Sequence, residues 1–168
     1  MQERSQRTGD AVHEIILTYS GMVYRLAYAR TGNRADAEDV YQEVFFKFFL
    51  TNPPIQGEEH LKAWLIRATI HTSVNLLRSA WRRRFQPMPD RYDAPQPDGA
   101  GPEENQSVRD ALCRLPRSQR VALHLYYYEQ LSAEEIARIL GEKSSTVRSR
   151  IKRGREKLKS LLLQTEVK

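Results

Sequence analysis

Apolar residues recur every three or four positions along most of the chain, and this spacing predicts α-helices. It predicts helices over residues 11–31, 36–50 and 60–84 in the first half, and two more over 132–140 and 143–159. Signals for β-strands are weak throughout the sequence. We therefore expect an all-α protein.

Residues 85–106 interrupt the helical pattern. They hold five of the eight prolines, carry a net charge of −4 and show no apolar periodicity. This composition is typical of an extended, flexible linker. It predicts two small helical domains, residues 1–84 with net charge +3 and residues 107–168 with net charge +7. Each domain would have only a small hydrophobic core.

The two predicted helices near the C-terminus are separated by a short glycine turn. Ser132 and Glu135 have the spacing of a capping box at the start of the first helix. Gly141 would end that helix, because glycine readily adopts a positive φ. Ser144 or Ser145 can cap the second helix. The pattern is that of a helix-turn-helix, although an ordinary antiparallel helix pair would share it.

The second of these helices is strongly cationic, with eight basic residues and one acidic residue between Lys143 and Lys159. At about 100° per residue, its apolar positions share one face, which can pack on a core. A second face carries the polar set Arg148, Ser149, Lys152, Arg153, Arg155 and Lys159. Such a face suits contact with phosphates and base edges, while acidic proteins and membrane surfaces are alternative partners. The preceding helix and turn favour DNA.

Two further polar faces lie in the predicted N-terminal domain. On the helix over 36–50, one side presents Asp39, Gln42, Glu43 and Phe46. The aromatic ring of Phe46 lies among acidic and amide side chains. It is either incidentally exposed or part of a docking surface for a partner with basic residues.

The helix over 60–84 carries the second polar face. Its stripe consists of Trp64, Arg67, His71, Asn75 and Arg78. This mixture can follow a nucleic-acid strand, although Trp64 alone would equally suit the core. The loop before this helix is predicted at residues 51–59, because two prolines and a glycine forbid regular helix there.

Several classes of function lack support in the sequence. The four histidines are scattered, no Walker or GxGxxG motif occurs, and the single cysteine makes neither a zinc cluster nor an internal disulfide. No apolar run reaches the length of a membrane span, and the N-terminal residues MQERSQRTGD lack the apolar core that is typical of a signal peptide. We expect a soluble, intracellular protein without enzymatic activity, metal, cofactor or small-molecule substrate, and without membrane contact of its own.

Three segments together resemble the extracytoplasmic-function sigma factors of bacterial RNA polymerase. Residues 36–49, DAEDVYQEVFFKFF, resemble the family's helix that docks on the polymerase clamp. Residues 60–79, HLKAWLIRATIHTSVNLLRS, resemble its promoter-melting helix. Residues 112–159 resemble its C-terminal domain, which contains the helix-turn-helix. The resemblance implies a cytoplasmic bacterial protein that binds core polymerase and directs promoter recognition and transcription initiation.

The resemblance also implies roles for individual positions. The polar face around Phe46 would bind the clamp, and the helices holding Leu115, Val121 and Leu125 would cradle the polymerase flap. The loop at 51–59 would receive a flipped base of the minus-10 element, and the stripe from Trp64 to Arg78 would line the same strand.

In the C-terminal domain, Arg148, Ser149, Lys152 and Arg153 would read the minus-35 element, and Arg155 and Lys159 would contact phosphate. His71 and Lys152 depart from the family's usual residues, asparagine at the first position and an apolar or aromatic residue at the second. These departures affect the promoter sequence rather than the class of function.

Two further expectations concern partners. The family usually pairs with a membrane-anchored anti-sigma factor, so the resemblance implies one here. The alternative is a stand-alone helix-turn-helix regulator that binds duplex DNA without polymerase.

Overall fold

The computed structural model describes residues 2–84 and 104–166. The first range forms three helices, α1 (Gln2–Thr31), α2 (Arg34–Thr51) and α3 (Gly57–Arg84). The second forms α4 (Glu104–Cys113), α5 (Arg117–Leu123), a π-helix (His124–Tyr128), α6 (Ala133–Leu140) and α7 (Ser144–Glu166). These two ranges contain no β-strand, so the predicted all-α fold class is confirmed. Residues 85–103 of the predicted linker lie outside the described residues.

The first helical unit packs α1, α2 and α3 around one core. Asn33 caps α2 by accepting a hydrogen bond from the Asp36 backbone N–H at 2.9 Å. Two hydroxyl residues on α3, Thr69 and Ser73, are fully buried because each donates to a backbone carbonyl one turn earlier, at 2.7 Å. The most deeply buried apolar side chains are Val23, Leu26, Ala27, Ala37, Val40, Val44, Leu65 and Ile66.

The second unit contains the predicted helix-turn-helix. The capping box of Ser132 and Glu135 is present in full at the start of α6. Gly141 ends that helix with φ +67°, in the left-handed region that glycine adopts without strain. Ile136 of α6 and Val147 and Ile151 of α7 are buried, and α6 packs against α7. The sequence therefore encodes both ends of α6 and the core of this motif, whereas Ser144 and Ser145, the predicted caps of the second helix, lie inside α7.

Some element boundaries differ from the sequence-based expectations. Helix α2 runs through Thr51 and α3 starts at Gly57, so the loop spans residues 52–56 rather than 51–59. Pro53 and Pro54 lie within the loop, whereas the glycine opens the helix beyond it. Helix α4 starts at Glu104, three residues before the predicted start of the second domain.

The two units contact each other, α1 against α5 and α3 against α6. The buried guanidinium of Arg120 donates from Nε to the Ala29 carbonyl at 2.7 Å. This carbonyl lies in the last turn of α1, where helical carbonyls lack intrahelical partners, so a cation there is favourable. Lys62 approaches Glu129 at 3.3 Å at a second point of contact between the units.

Candidate nucleic-acid and polymerase interfaces

Helix α7 separates its two faces as predicted. Val147, Ile151 and Gly154 are buried and Leu158 is half-buried. A Cβ on Gly154 would lie 3.0 Å from a methyl carbon of Leu123, so a hydrogen at this position lets α7 approach α5 closely. The opposite face exposes all six residues predicted to contact the minus-35 element: Arg148, Ser149, Lys152, Arg153, Arg155 and Lys159.

Two of the exposed arginines are held by groups of the same unit. Arg148 donates from Nη2 to the Glu134 carboxylate, which lies in the first turn of α6. The backbone N–H of Glu134, and after it Arg148, lower the pKa of the Glu134 carboxyl. Arg155 donates from Nη1 to the Tyr127 hydroxyl at 3.1 Å, and this hydrogen bond raises the pKa of the guanidinium. The donors of α7 are thus partly oriented before any DNA binds.

The predicted stripe on α3 has a different character. Arg67, His71, Asn75 and Arg78 are exposed, and within the described ranges none of them hydrogen-bonds or pairs with another side chain. Trp64 is half-buried and packs edge-to-face on Phe48, with ring centroids 5.3 Å apart. The structure therefore brings the four polar residues onto an open surface, whereas the indole is largely part of the core.

The loop before α3 is anchored at both ends. Asn52 ends α2 in the left-handed region with φ 40° and donates its N–H to the Phe48 carbonyl at 3.0 Å. The backbone N–H of Gln56 donates to Nδ1 of His60 at 3.0 Å. Ile55 packs on the core between them. These contacts hold residues 52–56 beside the start of the polar stripe.

The predicted docking residues line one groove between α2 and α3. Asp39, Gln42, Glu43 and Phe46 are all exposed on its α2 side, and the ring of Phe46 is 59% exposed. Asn75 of α3 lines the same groove, so the predicted docking face and the predicted DNA stripe meet there.

Two exposed apolar side chains of α2 were missed from the sequence: Phe49 and Leu50, at 60% and 63% exposure. They follow Phe46 by three and four positions, about one helical turn, and extend the exposed apolar part of α2 toward the loop. The signal that could have identified them is their place in FFKFFL, because one helix cannot bury so many apolar neighbours on a single face.

The region predicted to cradle the polymerase flap also presents exposed apolar side chains. Leu115, Val121 and Leu125 are themselves buried in the core of the second unit. The exposed apolar residues nearby are Tyr126, Tyr127 and Tyr128 of the π-helix. Three consecutive tyrosines could have indicated this surface, because successive helical positions cannot all face a core.

Among the described residues there is no cluster of three or more potential metal ligands. None of the described helices combines the length and the apolar character that a membrane span requires.

Comparison with known proteins identifies both units. Residues 15–83 match the family model for Sigma-70 region 2, and residues 105–158 match that for Sigma-70, region 4. The two matches lie within the two helical units, one in each, and together include every predicted contact residue except Lys159. Lys159 lies one position beyond the second match.

Relatives that match about nine-tenths of this chain point to one group of sigma factors. The chain is 36% identical over 156 residues to the ECF RNA polymerase sigma factor SigE of Mycolicibacterium smegmatis, covering 89% of this chain and 60% of that protein. It is 32% identical to the ECF RNA polymerase sigma factor EcfG of Rhodopseudomonas palustris, covering 91% of this chain and 86% of that protein.

A solved structure extends the likeness to three dimensions. The sigma factor RpoE from Bartonella quintana, crystallised in complex with the anti-sigma factor NepR, matches with a TM-score of 0.77 and 25% identity, covering 89% of this chain and 95% of that chain. The family models, the relatives and the fold agree, and the chain belongs to the ECF family of RNA polymerase sigma factors.

Proposed function

We propose that this sigma factor divides promoter recognition between its two helical units in the bacterial cytoplasm. Members of the family bind core RNA polymerase and direct transcription initiation. In our proposal, α7 reads the minus-35 element in duplex DNA, and α3 with the loop at 52–56 captures the non-template strand of the minus-10 element. The groove around Phe46 binds the polymerase clamp.

The observation that carries this proposal is the separation of faces on α7. Its apolar residues are buried against α5 and α6, and six polar residues of the second helix of a helix-turn-helix remain exposed. A helix of this kind enters the major groove, where arginine can bind guanine through two hydrogen bonds. Lys152 lies between Arg148 and Arg155 on this face, and a lysine there supports contact with a base acceptor or a phosphate.

Strand opening requires more energy than this chain supplies alone. Each base-pair step stacks with about 1.4 kcal/mol, so opening several pairs costs several kcal/mol. Capture of a flipped base offsets part of that cost. Polymerase must therefore hold both units on the promoter, which gives the docking face on α2 its role.

We further propose an anti-sigma partner, membrane-anchored as is usual for the family, and no catalytic activity. The support is a likeness to RpoE, whose structure was solved with the anti-sigma factor NepR. A protein partner of this kind would keep the exposed faces of α2 and α7 from polymerase and DNA until it is released.

Reconstituted transcription tests the proposal. The purified chain with core polymerase should select promoters from a random DNA library and give defined run-off transcripts. A stand-alone regulator would instead bind duplex DNA tightly and specifically without polymerase. The absence of specific transcripts, together with such binding by the chain alone, would favour the regulator.

The docking face has its own test. Phe46→Ala should weaken binding to core polymerase, because buried aromatic anchors contribute strongly at interfaces. Leu17→Ala is the matched control, since Leu17 is an exposed apolar residue on α1, 67% exposed, away from the groove. Equal polymerase affinities for the two variants would refute the docking assignment.

A further inference from the structure

The pairing of Arg148 with Glu134 lies at the exposed rim of the helix-turn-helix. The two side chains are 59% and 55% exposed, and they join the first turn of α6 to the DNA-facing side of α7. An ion pair at this exposure contributes little to folding stability, because water screens it. The acidic residue also suits the N-terminus of α6. Neither effect explains why the carboxylate holds the arginine predicted to read a base.

We infer that Glu134 is a positioning residue that sets how selectively Arg148 reads the minus-35 element. The guanidinium carries five N–H donors, and the carboxylate accepts from Nη2, so other donors remain for a base. An arginine already held in one orientation loses less rotational freedom when it binds guanine. The deduction rests on the proposed reading of duplex DNA by α7.

The negative charge of Glu134 adds a second contribution. At a wrong sequence, Arg148 would turn toward a phosphate, and the carboxylate would then be left beside the DNA backbone without its cation. Repulsion between this carboxylate and the phosphates weakens binding to non-matching DNA and leaves binding to the matching base favoured. Removing the charge should therefore strengthen binding to wrong sites and weaken discrimination.

A second pair on the same two-helix motif provides a matched control. Arg150 pairs with Glu142, which lies in the turn after α6, and both side chains are about one-third exposed. Arg150 is not among the residues predicted to contact DNA. Glu142→Gln removes one carboxylate from one arginine, as Glu134→Gln does, without involving the DNA-reading residue.

The experiment uses the full chain with core polymerase and two labelled duplexes, a selected promoter and the same promoter with a scrambled minus-35 element. Glu134→Gln should tighten binding to the scrambled duplex and lower the affinity ratio by roughly three- to tenfold. This loss is part of the roughly 5- to 150-fold that one bidentate arginine–base pair contributes. Glu142→Gln should leave the ratio unchanged, and both variants should keep the wild-type unfolding midpoint.

A double variant separates positioning from a general effect of charge. In an Arg148→Ala background, Glu134→Gln should change the ratio no further, because Glu134 acts through Arg148. An unchanged ratio for Glu134→Gln alone, or equal losses for Glu134→Gln and Glu142→Gln, would overturn the inference and leave the proposed function intact. Failure of the wild-type holoenzyme to distinguish the two duplexes would instead overturn the proposed function.

Discussion

The two helices proposed to contact DNA present their polar groups in different ways. On α7, Arg148 and Arg155 are held by Glu134 and Tyr127 of the same unit. On α3, the exposed residues from Arg67 to Arg78 form no such contacts within the described part of the chain. The difference follows the form of DNA that each helix is proposed to meet.

Duplex DNA offers a rigid pattern of donors and acceptors in the major groove. Oriented guanidinium groups suit it, since a small misalignment loses a bidentate hydrogen bond. A single strand has no fixed shape, so it is bound by a charged surface with rings on which bases stack. The free side chains of α3 can adapt to such a strand. Side chains already held on α7 are suited to discriminating between base pairs, whereas the side chains of α3 are suited to capturing a single DNA strand.

The largest expected effect comes from weakening the packing of α6, the helix that carries Glu134, the partner of Arg148. Ile136→Ala truncates a fully buried side chain of α6 and should lower the free energy of unfolding by about 2–5 kcal/mol. Urea unfolding would measure this change. Duplex recognition should fall, while polymerase docking through α2 persists. Leu163→Ala is the control, because this α7 residue is 53% exposed and should cost no more than about 0.5 kcal/mol. Equal losses for the two variants would contradict the described packing.

A second effect concerns the π-helix that positions Tyr127. Burial, and after it the nearby Arg25 cation, lower the pKa of His124 to about 4. Glu129 lies 3.8 Å away and would favour protonation, but burial dominates and the imidazole is neutral near pH 7. The unfolded chain protonates His124 near pH 6.5, so it binds more protons than the folded chain between about pH 6.5 and 4.

Stability from His124 is therefore complete above about pH 6.5 and lost as pH falls toward 4. Between pH 7 and 4.5 its contribution to the free energy of unfolding should fall by roughly 2–3 kcal/mol. Denaturant unfolding at several pH values would show a smaller change for His124→Gln than for wild type. His13→Gln, at an exposed position of α1, should retain the wild-type dependence. A His124→Gln profile identical to wild type would refute this prediction.

The smallest effect separates phosphate contacts from base contacts within α7. Lys159→Ala should weaken binding to all duplexes alike and reduce the slope of log affinity against log salt by about 0.9. Arg148→Ala should instead lower minus-35 discrimination by about 1–3 kcal/mol. Binding titrations at several salt concentrations measure both quantities. Loss of discrimination in Lys159→Ala would show that this residue reads a base.

The helix-turn-helix could be predicted closely from the sequence because its signals are local. The capping box at Ser132, the glycine at 141 and the helical spacing of Val147 and Ile151 each act within a few residues, and all are present in the structure. The same holds for the exposed polar face of α7. Local signals of this kind require no knowledge of the rest of the fold.

Features that depend on distant contacts could not be predicted. Arg120 is buried because it meets the end of α1 at Ala29, 91 positions away in sequence. Arg148 and Glu134 are 14 positions apart in sequence and meet because α6 and α7 pack together. The sequence around Trp64 suits either the core or a DNA strand, and the contact that places the indole largely in the core is made with Phe48 of another helix.

The most direct test of the proposal that α7 binds duplex DNA and α3 binds a single strand is to measure the binding of two variants to two DNAs. The holoenzyme would be titrated with a duplex carrying the selected minus-35 element and, separately, with a single-stranded oligonucleotide carrying the selected minus-10 element. Arg148→Ala should weaken only duplex binding, by at least about fivefold, and Arg67→Ala should weaken only single-strand binding. If each variant bound both DNAs with equally reduced affinity, the two helices would not recognise different forms of DNA and the account would be wrong.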